Sequence, residues 1–228
     1  MRERIVVSVG GSLIVPDGID TQFLSDFRAL ILKKVAEGFS FYIITGGGKI
    51  CRRYQAAAKE VYPALSNDAL DWLGIHTTRL NGHLIRALFS DSDLHPTLIE
   101  DPTKPLETGS AIVVGAGWKP GWSTDYDAVL MARGLGAKRL VNLSNIDYVY
   151  TADPRTNPDA KPIERISWAD FRKLIPEQWD PGLSSPFDPV AAKEAEALGL
   201  EIAMINGAKL DEFENYLDGK PFIGTVIS

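Results

Sequence analysis

The chain has 228 residues, a formal net charge of -6 at pH 7 and 45% hydrophobic residues, which is ordinary for one large globular α/β domain or two small ones. The acidic balance provides no basic field of the kind that nucleic-acid binding uses, and no apolar run is long enough to span a membrane. The single cysteine, Cys51, excludes an internal disulfide and a Cys-rich zinc site.

The first half of the chain is predicted to alternate between buried strands and helices. Because residues 1–4 lead at once into an apolar strand, no signal peptide is expected and the protein is predicted to be cytoplasmic. Asp20 is the predicted N-cap of the first long helix, and Ser66-Asn67 begins another helix with leucines at three- and four-residue spacing. The predicted elements are a strand at 5–9, a helix at 20–37, a strand at 40–45, a helix at 49–60, a helix at 67–88, a short strand at 97–99 and a strand at 111–114.

The second half continues the alternation. Either Thr124 or Asp125 is predicted to cap a helix that ends near residue 135, and Asp188-Pro189 opens another in the favoured N-cap and N1 arrangement. Residues 181–186 are predicted to be a flexible link. The other predicted elements are a strand at 138–143, a loop at 156–161, a short helix capped by residue 167, a helix ending near 198, a strand at 201–205, a helix at 210–217 and a strand at 222–227.

This order of elements predicts the fold class. Strands that alternate with helices favour a mostly parallel sheet with helices on both faces. The sequence shows no internal repeat and no linker between independent domains, so residues 1–228 are expected to form a single domain.

Three apolar strands are each followed by a glycine loop, at residues 10–11, 46–48 and 115–121. Ligands of open α/β sheets bind beyond the carboxyl ends of the strands, so these loops are expected to line one edge. Glycines let a phosphate approach backbone N–H groups, and several loops suit a polyphosphate. The alternative is that each loop is only a tight turn. Neither Gly-x-x-x-x-Gly-Lys-Ser/Thr nor Gly-x-Gly-x-x-Gly occurs in the glycine run at 46–48.

Six motifs, in order along the chain, resemble the amino-acid-kinase family. They are VGGS at 9–12, TGGGKICR at 45–52, DWLGIHTTRLNG at 71–82, GWKPGWSTDYDAV at 117–129, SNIDYVYTADPRTNPDAKPI at 144–163 and DPVAAK at 188–193. The sequence is most similar to the uridylate kinase branch, in its short archaeal-type form. The resemblance implies a three-layer α/β/α sandwich, with an acceptor lobe at about residues 1–136 and an ATP lobe at about 137–228.

The resemblance also implies an activity. ATP would donate its γ-phosphoryl group directly to UMP, giving UDP and ADP in pyrimidine nucleotide biosynthesis, with no covalent intermediate. Mg²⁺ would accompany the ATP, and no separate metal site on the protein is expected. Relatives assemble as hexamers, so a homo-oligomer is expected, with no nucleic-acid or membrane partner. His76, His83 and His95 show no spacing for a metal site and are expected to be structural.

The ATP side is assigned by matching positions to the family motifs. Tyr150 can equally be core packing, and Asp153-Pro154 is a good turn on its own. The positions that the resemblance assigns to ATP are Ser8, Gly10, Gly11, Ser12, Gly48, Arg52, Ser144, Tyr150 and Asp153.

The acceptor side is assigned in the same way. Asp71 matches the carboxylate that binds the uridylate ribose, although a surface helix charge is the plain alternative. Two tryptophans stand in the loop where typical uridylate kinases have smaller or different residues, which leaves another small acceptor open. The positions assigned to UMP are Gly47, Asp71, Trp118, Lys119, Pro120, Gly121, Trp122, Ser123 and Thr124.

The cation at the transferred phosphate is left open. Many relatives carry a lysine on the first strand, where this chain has Ser8, but short archaeal-type members also lack it. Lys193 is the first choice, because it lies one helical turn after Asp188 and matches a phosphate-contacting lysine of acetylglutamate kinases. Lys49, in the first turn after Gly48, is the second. Lys193, Lys49 and Asp188 are thus the predicted catalytic residues, and a solvated helix face is the alternative for either lysine.

A non-catalytic nucleotide-binding or storage protein on the same fold is the competing hypothesis, since Ser8 replaces the strand-one lysine. Binding of ATP without phosphoryl transfer to any monophosphate would favour it.

Overall fold

Helices and strands alternate through the chain in this computed structural model, which describes residues 2–177 and 185–228. The helices are α1 (Gly11–Ile14), α2 (Thr21–Ala36), α3 (Gly48–Val61), α4 (Asn67–Leu88), α5 (Thr124–Leu135), α6 (Trp168–Leu174), α7 (Pro189–Ala197) and α8 (Leu210–Leu217). The strands are β1 (Glu3–Val9), β2 (Phe39–Thr45), β3 (Ile112–Gly115), β4 (Arg139–Ser144), β5 (Val149–Tyr150), β6 (Pro162–Ile163), β7 (Arg165–Ile166), β8 (Glu201–Asn206) and β9 (Thr225–Ile227). Of the predicted link at 181–186, residues 181–184 lie outside the described residues.

The ends of several elements follow from local sequence. Asp20 caps α2 by accepting the N–H of Phe23 at 2.9 Å, which confirms the predicted cap, and Ser66 caps α4 by accepting the N–H of Ala69 at the predicted helix start. Helix α5 ends at Gly136, whose φ of 63° is the left-handed conformation that glycine adopts without strain. The β1 residues at 5–7 are buried on both faces, as expected for a central parallel strand.

Seven strands form one sheet in the order β3-β2-β1-β4-β8-β9-β7. Every neighbouring pair is parallel except β8 and β9. The predicted mostly parallel sheet is therefore confirmed. Strands β1, β2, β3, β4 and β8 all end at the same edge, and the glycine loops leave the sheet there.

Helices cover both faces of this sheet, which gives the three-layer arrangement. One face packs against α1, α2, α4 and α8, through residues such as Phe27, Ile85 and Phe213. The other packs against α5, α6 and α7, through residues such as Val129 and Phe171. In the part of the chain that the structure describes, no helix is both long enough and apolar enough to cross a membrane.

Several predicted details are wrong. Ser123, rather than Thr124 or Asp125, caps α5, because its hydroxyl accepts the N–H of Tyr126 at 3.2 Å. The predicted strand at 97–99 makes only an isolated bridge at Ile99, in a segment bounded by prolines on both sides.

The leucine pattern of α4 also misleads, because Leu80 is exposed while Thr77, Thr78, Asn81 and Gly82 are buried. Helix α1 and the β5–β6 hairpin were not predicted. They are too short to show a period in the sequence.

Candidate active site

The glycine loops after β1 and β2 lie side by side at the carboxyl edge of the sheet. The Gly10 amide donates to the Leu143 carbonyl at 2.8 Å, and the Gly46 amide donates to the Val9 carbonyl at 2.9 Å. These hydrogen bonds continue the strand pairing past the strand ends. The loops that the sequence placed at one edge are therefore held together there.

The two loops approach so closely that only glycine fits. A Cβ on Gly11 would lie 2.2 Å from the Gly48 nitrogen, and a Cβ on Gly48 would lie 2.4 Å from the Gly11 carbonyl oxygen. Gly48 also has a φ of +68°, which strains any other residue. Because Gly48 begins the 14-residue helix α3, unpaired backbone N–H groups of its first turn lie at this contact. The junction provides donors for an anion.

The three cations predicted near the phosphates differ in their present partners. The Lys49 ammonium lies 3.1 Å from the Asp17 carboxylate. Lys193 is exposed on α7, and its ammonium donates to the Glu177 carbonyl at 3.4 Å. Arg52 is exposed on α3, and among the described residues no hydrogen bond or ion pair engages its guanidinium. Of the three, Arg52 can bind an anion without giving up a partner.

A carboxylate that the sequence interpretation missed lies between β1, β4 and α7. Asp125 receives hydrogen bonds from the Asn142 amide at 2.9 Å and the Ser8 hydroxyl at 3.4 Å, and from the Asp188 backbone N–H at 3.3 Å. Burial, and after it the neighbouring Asp188 carboxylate, raise the pKa of Asp125 to about 7 against the opposing effect of these three hydrogen bonds. Asp125 stands in the matched motif at 117–129, which was the signal available.

Asp188 is the N-cap of α7, as predicted. Its Oδ1 accepts the N–H groups of Val190 and Ala191 at 2.7 and 2.8 Å. This capping explains why the side chain is buried. The structure therefore gives Asp188 a definite structural role, and its predicted catalytic role stays a prediction.

The loop at residues 117–122, here called the acceptor loop, carries an aromatic cluster. The rings of Trp118 and Trp122 lie 6.1 Å apart between centroids, and Trp122 stacks on Tyr126 of α5 at 4.4 Å. The Lys119 ammonium lies 3.9 Å from the centroid of the Trp118 ring, a cation–π contact. The two tryptophans are thus packed on other residues of the same region and are half-buried.

Asp71 reaches the far end of the acceptor loop from α4. Its Oδ2 accepts the N–H of Gly121 at 2.8 Å. Gly121 has a φ of +83°, so the loop turns sharply at the point that Asp71 holds. The structure brings Asp71 and the loop together, as their joint assignment to the acceptor requires. Thr124 follows the loop as the first residue of α5.

Three of the predicted ATP-side residues, Ser144, Tyr150 and Asp153, lie at the end of β4 or after it. The hydroxyl of Ser144 is buried and has no hydrogen-bond partner among the described residues. Tyr150 lies on β5 with its ring edge-on to Tyr148. Asp153 is occupied by Arg155, whose guanidinium holds the pKa of that carboxyl below its usual range.

A second polar group at this end was missed by the sequence interpretation. Asp147 accepts hydrogen bonds from the Asn206 amide and the Lys209 ammonium, both at 2.8 Å. Asn206 ends β8 opposite Ser144 in the sheet register. A lysine and an aspartate 62 positions apart give no local signal in one sequence.

The sequence model of the Amino acid kinase family matches residues 3–206. The chain is a member of that family. The match spans all five parallel strands whose carboxyl ends line the site, together with the glycine loops between them. Family membership therefore accounts for both the fold and the position of the candidate site.

Relatives with assigned names are similar along most of the chain. The uridylate kinase of Thermococcus kodakarensis is 36% identical over 193 residues, which cover 83% of this chain and 84% of the relative. The uridylate kinase of Hyperthermus butylicus is 30% identical over 230 residues, covering 98% and 97%. The crystal structure of uridylate kinase from Archaeoglobus fulgidus superposes with a TM-score of 0.80 at 26% identity, over the whole of both chains.

Proposed function

We propose that the protein is an ATP-dependent UMP kinase that makes UDP and ADP by direct phosphoryl transfer. The observation that carries the proposal is that three features meet at one edge of the sheet. They are the two glycine loops, the acceptor loop that Asp71 holds, and the Asp125 cluster, which consists of Asp125 with Ser8, Asn142 and Asp188. The similarity to uridylate kinases, 30–36% identity over 83–98% of the chain, supports the same reaction.

On the ATP side, the Gly10 backbone lines the phosphates, and the N–H groups of Gly11 and Gly48 bind them together with the Ser12 hydroxyl and Arg52. Ser144, Tyr150 and Asp153 lie around the adenosine. Asp153 then exchanges its contact with Arg155 for the ribose.

On the acceptor side, Gly47 approaches UMP, Asp71 binds its ribose and the segment at 118–124 wraps around it. An oxygen of the UMP phosphate attacks the γ-phosphorus of ATP, and the bond from that phosphorus to the β-phosphate oxygen breaks as ADP leaves. Positioning and charge stabilisation carry such a transfer, because the protein forms no bond to the phosphoryl group.

Mg²⁺ enters as part of the substrate MgATP. Within residues 2–177 and 185–228, no group of three or more His, Cys, Asp or Glu side chains is arranged to hold a metal ion. Mg²⁺ in kinases is held largely by nucleotide phosphates with one or two carboxylates, so the ATP phosphates would be its main ligands here.

Lys193 is the first choice for the cation at the transferred phosphate. It lies on α7, whose N-cap Asp188 donates its backbone N–H to Asp125. To reach a phosphate, its ammonium would break only its hydrogen bond to the Glu177 backbone carbonyl. Lys49 must instead break an ion pair with Asp17.

The deciding experiment is an ADP-release assay with MgATP across a panel of nucleoside monophosphates. Saturable turnover with UMP is expected. Turnover with another acceptor alone would show that the Trp118–Trp122 loop has changed the substrate. ATP binding with no turnover on any acceptor would favour a storage or binding protein.

The enzyme is further proposed to work in the cytoplasm, in pyrimidine nucleotide biosynthesis, as a homo-oligomer and by family resemblance a hexamer. Exposed apolar residues on α3 and α4 support an interface, notably Tyr54, Val61, Trp72 and Leu80. Light scattering on a sizing column tests it. Leu80→Lys is expected to reduce the mass of the particle, whereas Ile19→Lys, at a similarly exposed position outside this surface, is expected to leave it unchanged.

A further inference from the structure

The first residues of the acceptor loop are fixed through their backbone. The hydroxyl of Thr78 accepts the Gly117 N–H at 2.8 Å. Arg79 donates to the Gly117 carbonyl at 3.3 Å and to the Trp118 carbonyl at 3.1 Å. The N–H of Trp118 is the last of the four backbone polar groups of Gly117 and Trp118, and it donates to Oδ2 of Asp127 at 3.1 Å.

Asp127 is an unexpected residue at this position. Its side chain is fully buried, among other buried residues of α5 such as Val129 and Leu130. Its Oδ1 has no hydrogen-bond partner among the residues that the structure describes. A buried carboxylate with one oxygen unpaired costs stability, and an apolar side chain would fill the space better. Packing therefore does not explain it, and the bond to Trp118 is its visible interaction.

Two adjacent residues of α5 hold the two tryptophans of the loop. Tyr126 stacks on the Trp122 ring, and Asp127 binds the Trp118 backbone. The first turn of α5 thereby fixes the relative position of the Trp118 and Trp122 rings. These rings lie in the segment proposed to surround UMP.

We propose that Asp127 is a positioning residue for the acceptor, which acts through the Trp118 amide to keep the acceptor loop in its binding conformation. This inference rests on the proposed function. A loop that is correctly placed in only part of the molecules weakens apparent affinity in proportion to that fraction, so the effect should fall on UMP binding.

The strength of the hydrogen bond between the Trp118 N–H and Asp127 is expected to depend on pH, because Asp127 can ionise. Arg79 approaches from α4, Asp125 from the same helix and Asp101 from the segment between α4 and β3. Burial raises the pKa of Asp127 to about 7, against the Trp118 hydrogen bond and Arg79. The ionised carboxylate is the stronger acceptor, so it should hold Trp118 more firmly as pH rises through about 7.

Two substitutions separate this role from packing. Asp127→Ala removes the acceptor, whereas Asp127→Asn retains an oxygen for the Trp118 N–H and cannot ionise. In steady-state assays, Asp127→Ala is expected to raise KM for UMP about tenfold or more, with kcat and KM for ATP within about threefold. Asp127→Asn is expected to restore most of the affinity.

The pH profile is measured as the ratio of KM for UMP in Asp127→Asn to that in the wild type. The ratio removes the titration of UMP, which is the same in both assays. It is expected to rise between pH 6 and pH 8, because only the wild type gains the ionised acceptor. A flat ratio would overturn the role of the charge.

Amide hydrogen exchange over residues 116–123, without nucleotide, tests the loop directly. Protection is expected to fall in Asp127→Ala and to persist in Asp127→Asn. Unchanged protection in a folded Asp127→Ala, or a fall in kcat at constant KM for UMP, would overturn the proposal. If Asp127→Ala does not fold, a KM for UMP in Asp127→Asn equal to that of the wild type at pH 8 would overturn the role of the charge. If the wild type does not phosphorylate UMP, the proposed function fails, and hydrogen exchange still decides whether Asp127 holds the loop.

Discussion

The backbone N–H of Asp188 donates to the Asp125 carboxylate, at 3.3 Å between nitrogen and Oδ2. The other oxygen of Asp125 receives the Asn142 amide and the Ser8 hydroxyl. One half-buried carboxylate therefore ties the start of α7 to β1 and β4. Because Lys193 lies one turn further along α7, Asp125 also positions the backbone that carries that lysine relative to β1.

Replacing Asp125 should therefore lower turnover. Asp125→Ala frees the start of α7, and displacing a catalytic group by about 1 Å can cost about 100-fold in rate, so a fall in kcat of that order is expected. Asp125→Asn should retain more activity, because its oxygen can still accept one of the three donors. Steady-state kinetics with MgATP and UMP measure both.

The pH dependence of Asp125 has a definite sign. Its pKa is raised to about 7, and its ionised form accepts three hydrogen bonds that a protonated oxygen would lose in part. We therefore expect kcat/KM to increase as pH rises through about 7, beyond the change that the UMP phosphate itself contributes. An identical increase in Asp125→Asn would show that the titrating group is not Asp125.

Arg52 provides a prediction with a matched control on the same helix. Arg52→Ala removes an exposed guanidinium from the second turn of α3 and should reduce kcat/KM about 100-fold or more, as expected for a group on the transferring phosphate. Arg53→Ala removes a neighbouring arginine that binds Asp17, and it should change kcat/KM by less than about threefold. Equal losses in the two variants would argue against a specific phosphate contact.

The two candidate lysines are distinguished by their partners. Lys193→Ala is expected to lower kcat about 100-fold with little change in KM for UMP, since the cation acts on charge that develops during transfer. Lys49→Ala, which breaks the pair with Asp17, should have a smaller effect. The reverse order would assign the phosphate cation to Lys49.

Much of the fold was predictable because its signals are local. The buried run of β1, the cap at Asp20 and the Asp188-Pro189 helix start each depend on a few neighbouring residues. The predicted strand at 97–99 failed because one apolar triplet between prolines cannot show whether a partner strand runs alongside it. Leu80 belongs to a regular leucine pattern but faces outward, since Thr78 and Asn81 bond the loops that cover the other face.

The candidate site was predictable only in part, for a related reason. Glycines leave a visible signature, so the loops at 10–11 and 46–48 were expected at one edge. The partners of Asp125 come from three separate elements, and Asp147 meets Lys209 only because β4 and β8 are adjacent in the sheet. The role of Asp127 depends on burial and on one backbone N–H, which no spacing in the sequence reveals.

Lys34 gives a stability prediction away from the site. Its side chain is 1% exposed, and its ammonium contacts Asp218, Glu37 and Glu214. Burial alone would lower the pKa of Lys34, but these carboxylates outweigh it and raise the pKa above its ordinary value. Removing one partner of a buried ion pair costs about 3–5 kcal/mol when the other charge stays buried. The carboxylates that Lys34→Met leaves without a partner are only partly buried, so we expect the free energy of unfolding to fall by about 2 kcal/mol.

Lys33→Met is the matched control, because Lys33 binds the same Glu214 but is 57% exposed, and it should destabilise the protein clearly less than Lys34→Met does. The pKa of Asp218 is lowered to about 2 by its hydrogen bonds to Lys34 and Lys220, so its contribution is present above about pH 4 and lost as pH falls towards 2. The difference between wild type and Lys34→Met in urea unfolding should therefore shrink over that range. A difference that stays constant down to pH 2 would mean that Lys34 acts through packing of its methylene chain alone.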